Sequence, residues 1–495
     1  MDIETQTQTQ TKTGVVAASD GVFIDNAWRP SASGKTVDVV EPATGEVFTK
    51  IAAGNAEDID AAVKAARKAF VGPWGGLTAV ERGRLLMTLG QLVLDNFDEL
   101  AALEARDTGK PMKQARADIT AAARYFEFYG SAADKVHGDT IPFMKGFFVT
   151  TEHVPFGVTG HIIPWNYPAQ MFGRTLGPAL AMGNATVIKP AEDACLTSLR
   201  LVELAVEAGF PAGAINLVPG RGEVAGAALS AHPGIDFLSF TGSPEVGALV
   251  QIAAARNHIG CTLELGGKSP QIIFADTDLD AAIPVVVNAI VQNSGQTCSA
   301  GARVLVEESF ADVFTERLKA QFEKLEAGTP DQDRNLGPVI NPNQKKRVER
   351  YCAQAEADGI PVIAEGKIAD GVPADGYFVP PKVYGPVPRD HALAKEEVFG
   401  PVLSVMTFTD EADAVALANG TDYGLVASVW SGDGARALRV ARQMQAGQVF
   451  VNGYGAGGGI ELPFGGMKKS GHGREKGFQA LYDFSAVRTL VVKHD

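Results

Sequence analysis

The chain has 495 residues, of which 45% are hydrophobic and 21% charged, and its formal net charge is −14. This length exceeds what one hydrophobic core normally organises, so the sequence predicts two or more domains. The apolar and charged fractions are ordinary for a globular protein. The acidic balance argues against a general nucleic-acid-binding protein, although it is compatible with a local basic site for an anionic cofactor.

The cysteine content and the N-terminal segment bear on compartment. Four cysteines, at positions between Cys195 and Cys352, are too few for a disulfide framework, and no pair has metal-ligand spacing. We therefore expect a reducing compartment, the cytoplasm, and no bound metal. Residues 2–13 are polar and lack the apolar core of a signal peptide, and no apolar run is long enough to span a membrane. Residues 1–20 are predicted to be a disordered tail because they have little to bury.

In chain order, the first clear element is a helix over residues 57–70, in which Ile59, Ala62, Val63, Ala66 and Phe70 share one face. Further helical patterns continue to about residue 136. Four buried strands that end in turns then follow, with the sequences VTGHIIP, ATVIKP, AINLVPG and IDFLSFTGS. Helical stretches come after three of them, which predicts a parallel sheet covered by helices. In such sheets ligands bind beyond the carboxyl ends of the strands.

A second α/β run extends from about Pro270 to residue 467. Two extended segments lie outside both runs, one at residues 147–157 and the other, FSAVRTLVVK, near the C-terminus. Their alternating and β-branched residues suit strands that add to another sheet. Because pairing with a second subunit would bury the edges of such strands, we expect a homo-oligomer, either a dimer or a tetramer.

Two segments carry candidate nucleophile and base residues. Cys298 lies in NSGQTCS, where glycine and small polar neighbours let the backbone approach a ligand closely. A thiolate suits covalent attack on a carbonyl, although an inert buried cysteine is equally compatible with Cys298 alone. Glu264 begins ELGGKSP after an apolar stretch that would raise its pKa and suit it to general-base catalysis. The alternative is an ion pair between Glu264 and Lys268.

A third segment, PWNYP, holds Asn166 between two prolines that restrict the backbone. An amide N–H held in this way is suited to stabilising an oxyanion. An ordinary aromatic turn is the alternative interpretation of these five residues.

Other segments suit phosphate and ribose groups. FTGS ends a strand and opens a helix, so its backbone N–H groups would face a pyrophosphate; the turn at residues 220–226 is similar, but neither has the strict dinucleotide spacing. Lys189 and Glu192 are suited to hydrogen-bonding ribose hydroxyls, with a surface ion pair as the alternative. Glu397 and Phe399 suit a second ribose beside a flat ring, with a helix-end charge pair as the alternative.

Seven segments occur in a fixed order: PWNYP, KPAE, FTGS, ELGGKSP, GQTC, EEVFGPV and PFGGMKKSGHGRE. Through them the chain, from about residue 22 to its C-terminus, resembles the aldehyde dehydrogenase superfamily of the NAD(P)-dependent, non-acylating, cysteine-nucleophile type. The resemblance implies an α/β fold with three regions. These are a Rossmann-like NAD-binding domain (residues 21–134 and 156–266), an α/β catalytic domain (267–467) and a small β oligomerisation element (135–155 and 478–495).

The resemblance also implies roles for single residues. Cys298 matches the nucleophile and Glu264 the general base. Asn166, with the backbone N–H of Cys298, matches the oxyanion hole, and Glu475 matches a proton-relay glutamate. The implied cofactor-binding residues are Trp165, Lys189, Glu192, Gly222, Phe240, Gly242, Ser243, Glu397 and Phe399. The implied substrate-tunnel residues are Tyr167, Met171, Arg174, Gln292, Ser299, Gly458 and Phe464.

The implied reaction is oxidation of a small-molecule aldehyde to its carboxylic acid by way of a cysteine thiohemiacetal and a thioester, which Glu264 would hydrolyse by activating water. We expect NAD as the cofactor, because Glu192 would accept hydrogen bonds from a free ribose 2′-hydroxyl and repel a 2′-phosphate. NADP is the alternative cofactor.

Arg174 matches the position of a carboxylate-binding arginine in succinic semialdehyde dehydrogenases, which suggests a polar or acidic semialdehyde. The second arginine of that pattern falls on Gln292, and an ion pair of Arg174 with an acid such as Glu461 is the alternative. The glycine-rich loop at residues 454–459 predicts a wide tunnel mouth. Two other functions are compatible with the resemblance: a CoA-acylating semialdehyde dehydrogenase, which generally lacks the base glutamate, and a non-catalytic structural or binding relative.

Overall fold

The structure, a computed structural model, describes residues 20–455 and 459–494. The tail predicted at residues 1–20 lies outside this part of the chain except for Asp20, and so does the predicted substrate residue Gly458.

Residues 21–132 form two antiparallel strand pairs followed by four helices. They are β1 (Gly21–Ile24), β2 (Ala27–Pro30), β3 (Thr36–Val40), β4 (Val47–Ala52), α1 (Ala56–Phe70), α2 (Ala79–Asp95), α3 (Phe97–Thr108) and α4 (Met112–Ala132). The first predicted helix is α1, and it buries Ile59, Ala62, Val63 and Ala66 as its sequence pattern predicts. The Asn55 side chain caps its first turn by accepting backbone N–H groups.

The next region alternates between strands and helices. It comprises β5 (Phe147–Pro155), β6 (Val158–Ile163), α5 (Pro168–Ala181), β7 (Ala185–Pro190), α6 (Leu196–Glu207), β8 (Ile215–Leu217), a π-helical turn (Gly222–Gly226), α7 (Ala227–Ala231), β9 (Phe237–Thr241), α8 (Pro244–Arg256) and β10 (Gly260–Glu264). The four strands predicted from sequence are β6 to β9, and every residue of β7 and β8 is buried. Burial on both faces explains why these strands have continuous apolar runs.

The remaining elements begin with the second predicted α/β run. They are β11 (Pro270–Ile273), α9 (Leu279–Val291), β12 (Arg303–Glu307), α10 (Ala311–Phe322), β13 (Glu326–Ala327), α11 (Pro342–Ala357), β14 (Val362–Glu365), β15 (Lys367–Ile368), β16 (Lys382–Tyr384), α12 (Ala392–Lys395), β17 (Val402–Phe408), α13 (Glu411–Asn419), β18 (Tyr423–Gly424), β19 (Val426–Trp430), α14 (Gly434–Ala441), β20 (Gln448–Val451), β21 (Met467–Lys468), β22 (Gly471–His472), α15 (Gln479–Asp483) and β23 (Ser485–Lys493). Short 3₁₀ turns occur at Gln292–Gly295, Glu308–Phe310 and Pro330–Gln332.

The first large sheet has the strand order β2-β1-β8-β7-β6-β9-β10-β22. Its strands β8, β7, β6, β9 and β10 run parallel, whereas β1, β2 and β22 pair antiparallel at the edges. The segments PWNYP, KPAE, FTGS and ELGG therefore all follow or complete strands at the same edge of this sheet. This topology gathers motifs that are far apart in sequence at the edge where open α/β sheets bind ligands.

The second large sheet has the order β14-β16-β17-β12-β11-β19-β20 and is parallel except for the pair β14–β16. Cys298 lies between α9 and β12 of this unit, so the candidate nucleophile comes from one sheet and the candidate base from the other.

The two extended segments pair with each other. Strands β5 and β23 form an antiparallel two-stranded sheet in which Phe147 lies opposite Lys493 and Pro155 opposite Ser485. Neither large sheet of the described residues includes these strands, so their addition to a sheet of a second subunit stays a prediction. Phe148, Leu490 and Val492 expose their apolar side chains on this small sheet.

Among residues 20–455 and 459–494, no helix combines the length and the apolar character that a membrane span needs. Within the same ranges, no group of three or more His, Cys, Asp and Glu side chains is arranged to hold a metal ion.

Candidate active site

A cavity of about 520 Å³ lies where loops of the two sheets meet. Segments that follow β6, β9 and β10 form one side, and the loop containing Cys298 forms another. Most of the residues predicted from sequence line this cavity: Trp165, Asn166, Tyr167, Met171, Arg174, Gly242, Ser243, Glu264, Gln292, Cys298, Ser299, Glu397, Phe399 and Phe464.

The loop that carries Cys298 has an unusual backbone. Asn293, Ser294 and Gly295 are consecutive left-handed residues, with φ values of 50°, 57° and 72°. Such a conformation costs a non-glycine residue roughly 1–2 kcal/mol, and hydrogen bonds hold it here. The Asn293 amide donates to the Asn166 carbonyl at 2.9 Å, and the Ser294 hydroxyl donates to the Gly337 carbonyl at 2.7 Å.

The paired glycines after Glu264 allow two close approaches. A Cβ at Gly267 would lie 2.5 Å from the Cys298 carbonyl oxygen, and a Cβ at Gly266 would lie 2.2 Å from the Glu397 carboxylate. Any side chain at either position would displace one of these groups. The end of β10 can therefore lie directly against Glu397 and the loop that carries Cys298.

Asn166 is held from two sides. Its Nδ2 donates a hydrogen bond to the Gln296 carbonyl at 2.8 Å, and its own carbonyl accepts one from Lys110 Nζ at 3.1 Å. Since a primary amide has two N–H donors, one remains for a ligand in the cavity. Lys110 is fully buried and forms ion pairs with Glu104 and Asp118. Burial opposes its charge, but the two carboxylates raise the pKa of Lys110.

Glu264 is 1% exposed and lies beside a guanidinium rather than a lysine. Arg174 Nη2 is 3.4 Å from Glu264 Oε2, and Arg174 Nε is 2.6 Å from Glu475 Oε2. Burial raises the pKa of Glu264 well above its usual range, while Arg174 opposes this shift. The alternative of an ion pair between Glu264 and Lys268 is wrong.

The suggested ion pair between Arg174 and Glu461 is also wrong. Glu461 pairs instead with Arg124, with 2.7 Å between their charged atoms. Arg174 lies over the Phe464 ring, with its guanidinium carbon 4.4 Å from the ring centroid. Glu475 does not line the cavity. It is fully buried beside Arg174 and accepts a hydrogen bond from Ser239 at 2.9 Å.

The Cys298 side chain is half-buried in the cavity wall. Burial raises the pKa of Cys298 to about 12, and the nearby Arg174 only partly offsets that shift. A pKa this high means that the resting side chain is the thiol near neutral pH. A proton must therefore leave Cys298 before it can act as a nucleophile.

Trp165 and Phe399 form an aromatic corner on the cavity wall, in edge-to-face contact with 5.5 Å between their ring centroids. Phe399 has a φ of 58°, which is rare for a side chain of this size. Beside it, Glu397 accepts a hydrogen bond from the Gly267 N–H at 2.9 Å, and burial raises the pKa of Glu397 to about 7. Glu397 is thus held by a backbone N–H, and no ion pair among the described residues includes it.

Gly242 and Ser243 directly precede α8. Ser243 caps this helix by accepting from the Val246 N–H at 3.3 Å. Phe240 differs from the other predicted cofactor residues, because its ring lies in the core rather than on the cavity wall. A Cβ at Gly242 would lie 2.5 Å from that ring, so Phe240 supports the turn from beneath.

Lys189, Glu192 and Gly222 form a separate cluster at the same sheet edge. Lys189 Nζ lies 2.7 Å from Glu192 Oε2, and the Gly222 N–H donates to Glu192 Oε1 at 3.1 Å. The ion pair suggested as an alternative is therefore present, but Lys189 is buried rather than on the surface. An open groove beside Trp165 includes Asn341, which hydrogen-bonds Asp193 next to Glu192. The groove thus extends from the cavity towards this cluster.

Sequence reasoning missed several residues of the cavity wall. Lys476 and Tyr125 are among them, and Tyr454 donates a hydrogen bond to the Ser299 carbonyl at 2.6 Å. Lys476 directly follows Glu475 in the sequence, so its position beside a predicted site residue was an available signal. Tyr125 lies in the middle of α4, where the sequence indicates only a buried helix face.

The chain is similar to known proteins over nearly its whole length. The model of the aldehyde dehydrogenase family matches residues 28–490. The chain is 44% identical to human (Homo sapiens) retinal dehydrogenase 2 over 477 residues, which is 95% of this chain and 91% of the relative.

Solved structures are equally similar. A protein of Burkholderia cenocepacia, solved as a candidate aldehyde dehydrogenase, is 59% identical with a TM-score of 0.95 and covers 96% of this chain and 100% of its own. Betaine aldehyde dehydrogenase of Staphylococcus aureus, solved with NAD⁺, is 36% identical with a TM-score of 0.94; the match covers 97% of this chain and 98% of that one.

The chain belongs to the aldehyde dehydrogenase family. It has the family's α/β fold, and its reaction is the NAD-dependent oxidation of an aldehyde.

The raised pKa of Cys298 predicts how the reactivity of this side chain depends on pH in the cofactor-free protein. Because its pKa is about 12, the thiolate fraction should rise about tenfold per pH unit between about pH 7 and pH 10. The rate of Cys298 alkylation by iodoacetamide, followed by peptide mass spectrometry, should rise in the same proportion. Cys298→Ser is the control for peptide assignment. A rate that levels off below about pH 8 would contradict the prediction.

Proposed function

We propose that Cys298 is the nucleophile, Glu264 the general base and Asn166 the oxyanion donor of a reaction that releases the free carboxylic acid. The observation that carries this proposal is that the three side chains line one cavity although they come from three separate segments of the chain. A thiol, a carboxyl group and an amide N–H are the groups that covalent oxidation and hydrolysis of an aldehyde require.

In the first step the Cys298 Sγ bonds to the aldehyde carbon, and the thiol proton passes to a base. Water in the cavity is suited to take it, because the Cys298 side chain is only half-buried. The carbonyl oxygen becomes an alkoxide. The free N–H of the Asn166 amide and the backbone N–H of Cys298 would stabilise its charge, and losing one such donor costs about 3–4 kcal/mol of barrier.

In the second step the carbon–hydrogen bond of the thiohemiacetal breaks and a thioester forms on Cys298. Bound NAD supplies the hydride acceptor for this oxidation. In the third step Glu264 removes a proton from water, the water oxygen bonds to the thioester carbon, and Cys298 leaves with a proton. The products are the carboxylic acid and the reduced cofactor. In a CoA-acylating enzyme a second thiol would take the place of this water.

The residues present fit a dinucleotide. Both turns present bare backbone because they contain glycine. At Gly242 a side chain would collide with the Phe240 ring, whereas at Gly222 a Cβ would meet nothing within 4 Å. We propose that Trp165, Glu397 and Phe399 hold the nicotinamide half, Gly242 and Ser243 the pyrophosphate, and Lys189, Glu192 and Gly222 the adenine-side ribose. Burial opposes the charge of Glu192, but Lys189 lowers its pKa, so Glu192 stays anionic and disfavours a 2′-phosphate.

We also propose that the protein is a homo-oligomer of the cytoplasm with the domain limits given above. Apolar side chains on the β5–β23 sheet support the oligomer, as do Leu249 and Ile252 on the exposed face of α8. The four unpaired cysteines support a reducing compartment. The substrate residues predicted from sequence are proposed to bind a polar or acidic aldehyde, and Glu475 is proposed to support proton transfer through its contact with Arg174.

Replacing Glu264 by Gln should separate the two halves of the reaction. We expect a burst of reduced cofactor equal to the active sites, followed by turnover that is slower by about 10²- to 10⁴-fold, because the thioester forms but water is no longer activated. Rapid-mixing absorbance and intact-protein mass spectrometry measure the burst and the acyl-enzyme. Glu411→Gln, which removes an exposed acid paired with Arg439, is the control. A Glu264→Gln variant that hydrolyses thioester at the normal rate would refute the role.

Replacing Glu192 by Gln should relax the choice of cofactor. Because a neutral side chain no longer repels a 2′-phosphate, the ratio of kcat/KM for NADP to that for NAD should rise about tenfold or more. Glu207→Gln, which removes an exposed acid of α6, should leave the ratio as in the unaltered enzyme. If that enzyme already prefers NADP, the assignment to Glu192 fails.

Charge placed on the small sheet should disrupt assembly. The double variant Leu490→Asp, Val492→Asp puts two carboxylates on an apolar strand that we propose lies in an interface, so its mass by light scattering should fall relative to the unaltered protein. Val313→Asp, at an exposed apolar position on α10, is the matched control. A monomeric unaltered protein would overturn the proposed interface.

A further inference from the structure

Lys476 is a cation on the cavity wall that the mechanism above does not use. Its Nζ lies 5.5 Å from the centroid of the Phe464 ring, which also lines the cavity. Among the ion pairs of residues 20–455 and 459–494, none includes Lys476. Lys476 is half-buried, and removing an ammonium from water without a partner is costly, so an anion in the cavity would stabilise its charged form.

The backbone holds Lys476 in an unusual conformation. Its φ is 64°, in the left-handed region that disfavours a long side chain. Two hydrogen bonds between Phe464 and Glu475, of 2.6 and 2.8 Å, fix the preceding residue, and the Gly477 N–H donates to the Ile460 carbonyl at 2.6 Å. Strain that the surrounding structure maintains in this way is concentrated at functional sites.

Arg174 also contacts the Phe464 ring but differs from Lys476 in one respect. Its guanidinium is already within ion-pair distance of two carboxylates, those of Glu264 and Glu475. A substrate carboxylate at Arg174 would compete with both of them. Among the described residues, Lys476 has no carboxylate within ion-pair distance, so its ammonium is available to a ligand in the cavity.

We infer that Lys476 binds a carboxylate at the end of the aldehyde remote from its carbonyl group, with Phe464 packed against the carbon atoms between the two. The substrate class is therefore an aldehyde that carries a terminal carboxylate. This inference rests on the proposed function, since it assumes that the carbonyl carbon meets Cys298 in the same cavity. Lys476, rather than Arg174, is then the residue that makes the enzyme prefer an aldehyde with a carboxylate.

Electrostatics support this assignment. Burial lowers the pKa of Lys476 to about 7, with Arg174 adding to the shift, and Glu264, Cys298 and Glu461 oppose it. Tyr125 also lines this wall, and Glu475 lies fully buried beside Arg174. A bound carboxylate would favour the ammonium form. Because the free enzyme loses this ammonium as the pH rises through about 7, its preference for an anionic over a neutral aldehyde should decline over that range.

The test compares two isosteric aldehydes, 4-formylbenzoate and its uncharged amide, together with a flexible pair, 4-oxobutanoate and butanal. The variants are Lys476→Met, which keeps the length of the side chain, and Lys476→Arg, which keeps the charge. We expect the unaltered enzyme to prefer the anion. The Met variant should lower kcat/KM for the anion by about tenfold or more, mainly through KM, with a far smaller change for the neutral partner.

The Arg variant should restore most of the preference. Lys469→Met, which removes an exposed lysine paired with Asp422, controls for overall charge. An unaltered enzyme without anion preference in either pair, or a Met variant with the same preference, overturns the inference. If a variant fails to fold, the test uses the unaltered enzyme alone. A ratio of kcat/KM for the anionic aldehyde to kcat/KM for the neutral one that does not fall as the pH rises through about 7 would overturn the inference. Failure to oxidise any aldehyde would instead refute the proposed function.

Discussion

One buried guanidinium joins the parts of this active site. Arg174, on helix α5 of the first sheet, lies within ion-pair distance of Glu264 at the end of β10 and of Glu475 near the C-terminus. The three side chains are buried, and removing one partner of a buried ion pair typically costs about 3–5 kcal/mol. The candidate base can therefore be buried in this cavity only because a cation from another element accompanies it.

The same buried charge limits the chemistry of its neighbours. A guanidinium does not give up its proton in proteins, so Arg174 can orient Glu264 and Glu475 but cannot pass a proton between them. Burial dominates at Cys298, whose pKa rises to about 12 despite the nearby cation. The cavity thus stabilises the neutral thiol at rest, so the nucleophilic role proposed for Cys298 requires a base rather than a preformed thiolate.

Close backbone packing provides the second constraint. Gly266 and Gly267 leave space for Glu397 and for the Cys298 carbonyl. The left-handed residues Asn293 and Ser294 turn the loop that carries Cys298 towards β10. Glycine pairs and prolines are legible in the sequence, so the turns could be predicted. The left-handed conformation of Asn293 could not, because it depends on a hydrogen bond to the Asn166 carbonyl from a distant segment.

The sequence by itself determined the helix α1, the strands β6 to β9, and the chemical types of residue that would meet in a site, because periodicity, turn residues and motif order are local properties. Only the tertiary structure decided the partners of the charges. Glu264 pairs with Arg174 rather than Lys268 because β10 and α5 lie within a few ångströms of each other. The position of the C-terminal region likewise decides that Lys476 has no carboxylate partner among the described residues. Burial then sets their pKa values, and no local pattern encodes that distance.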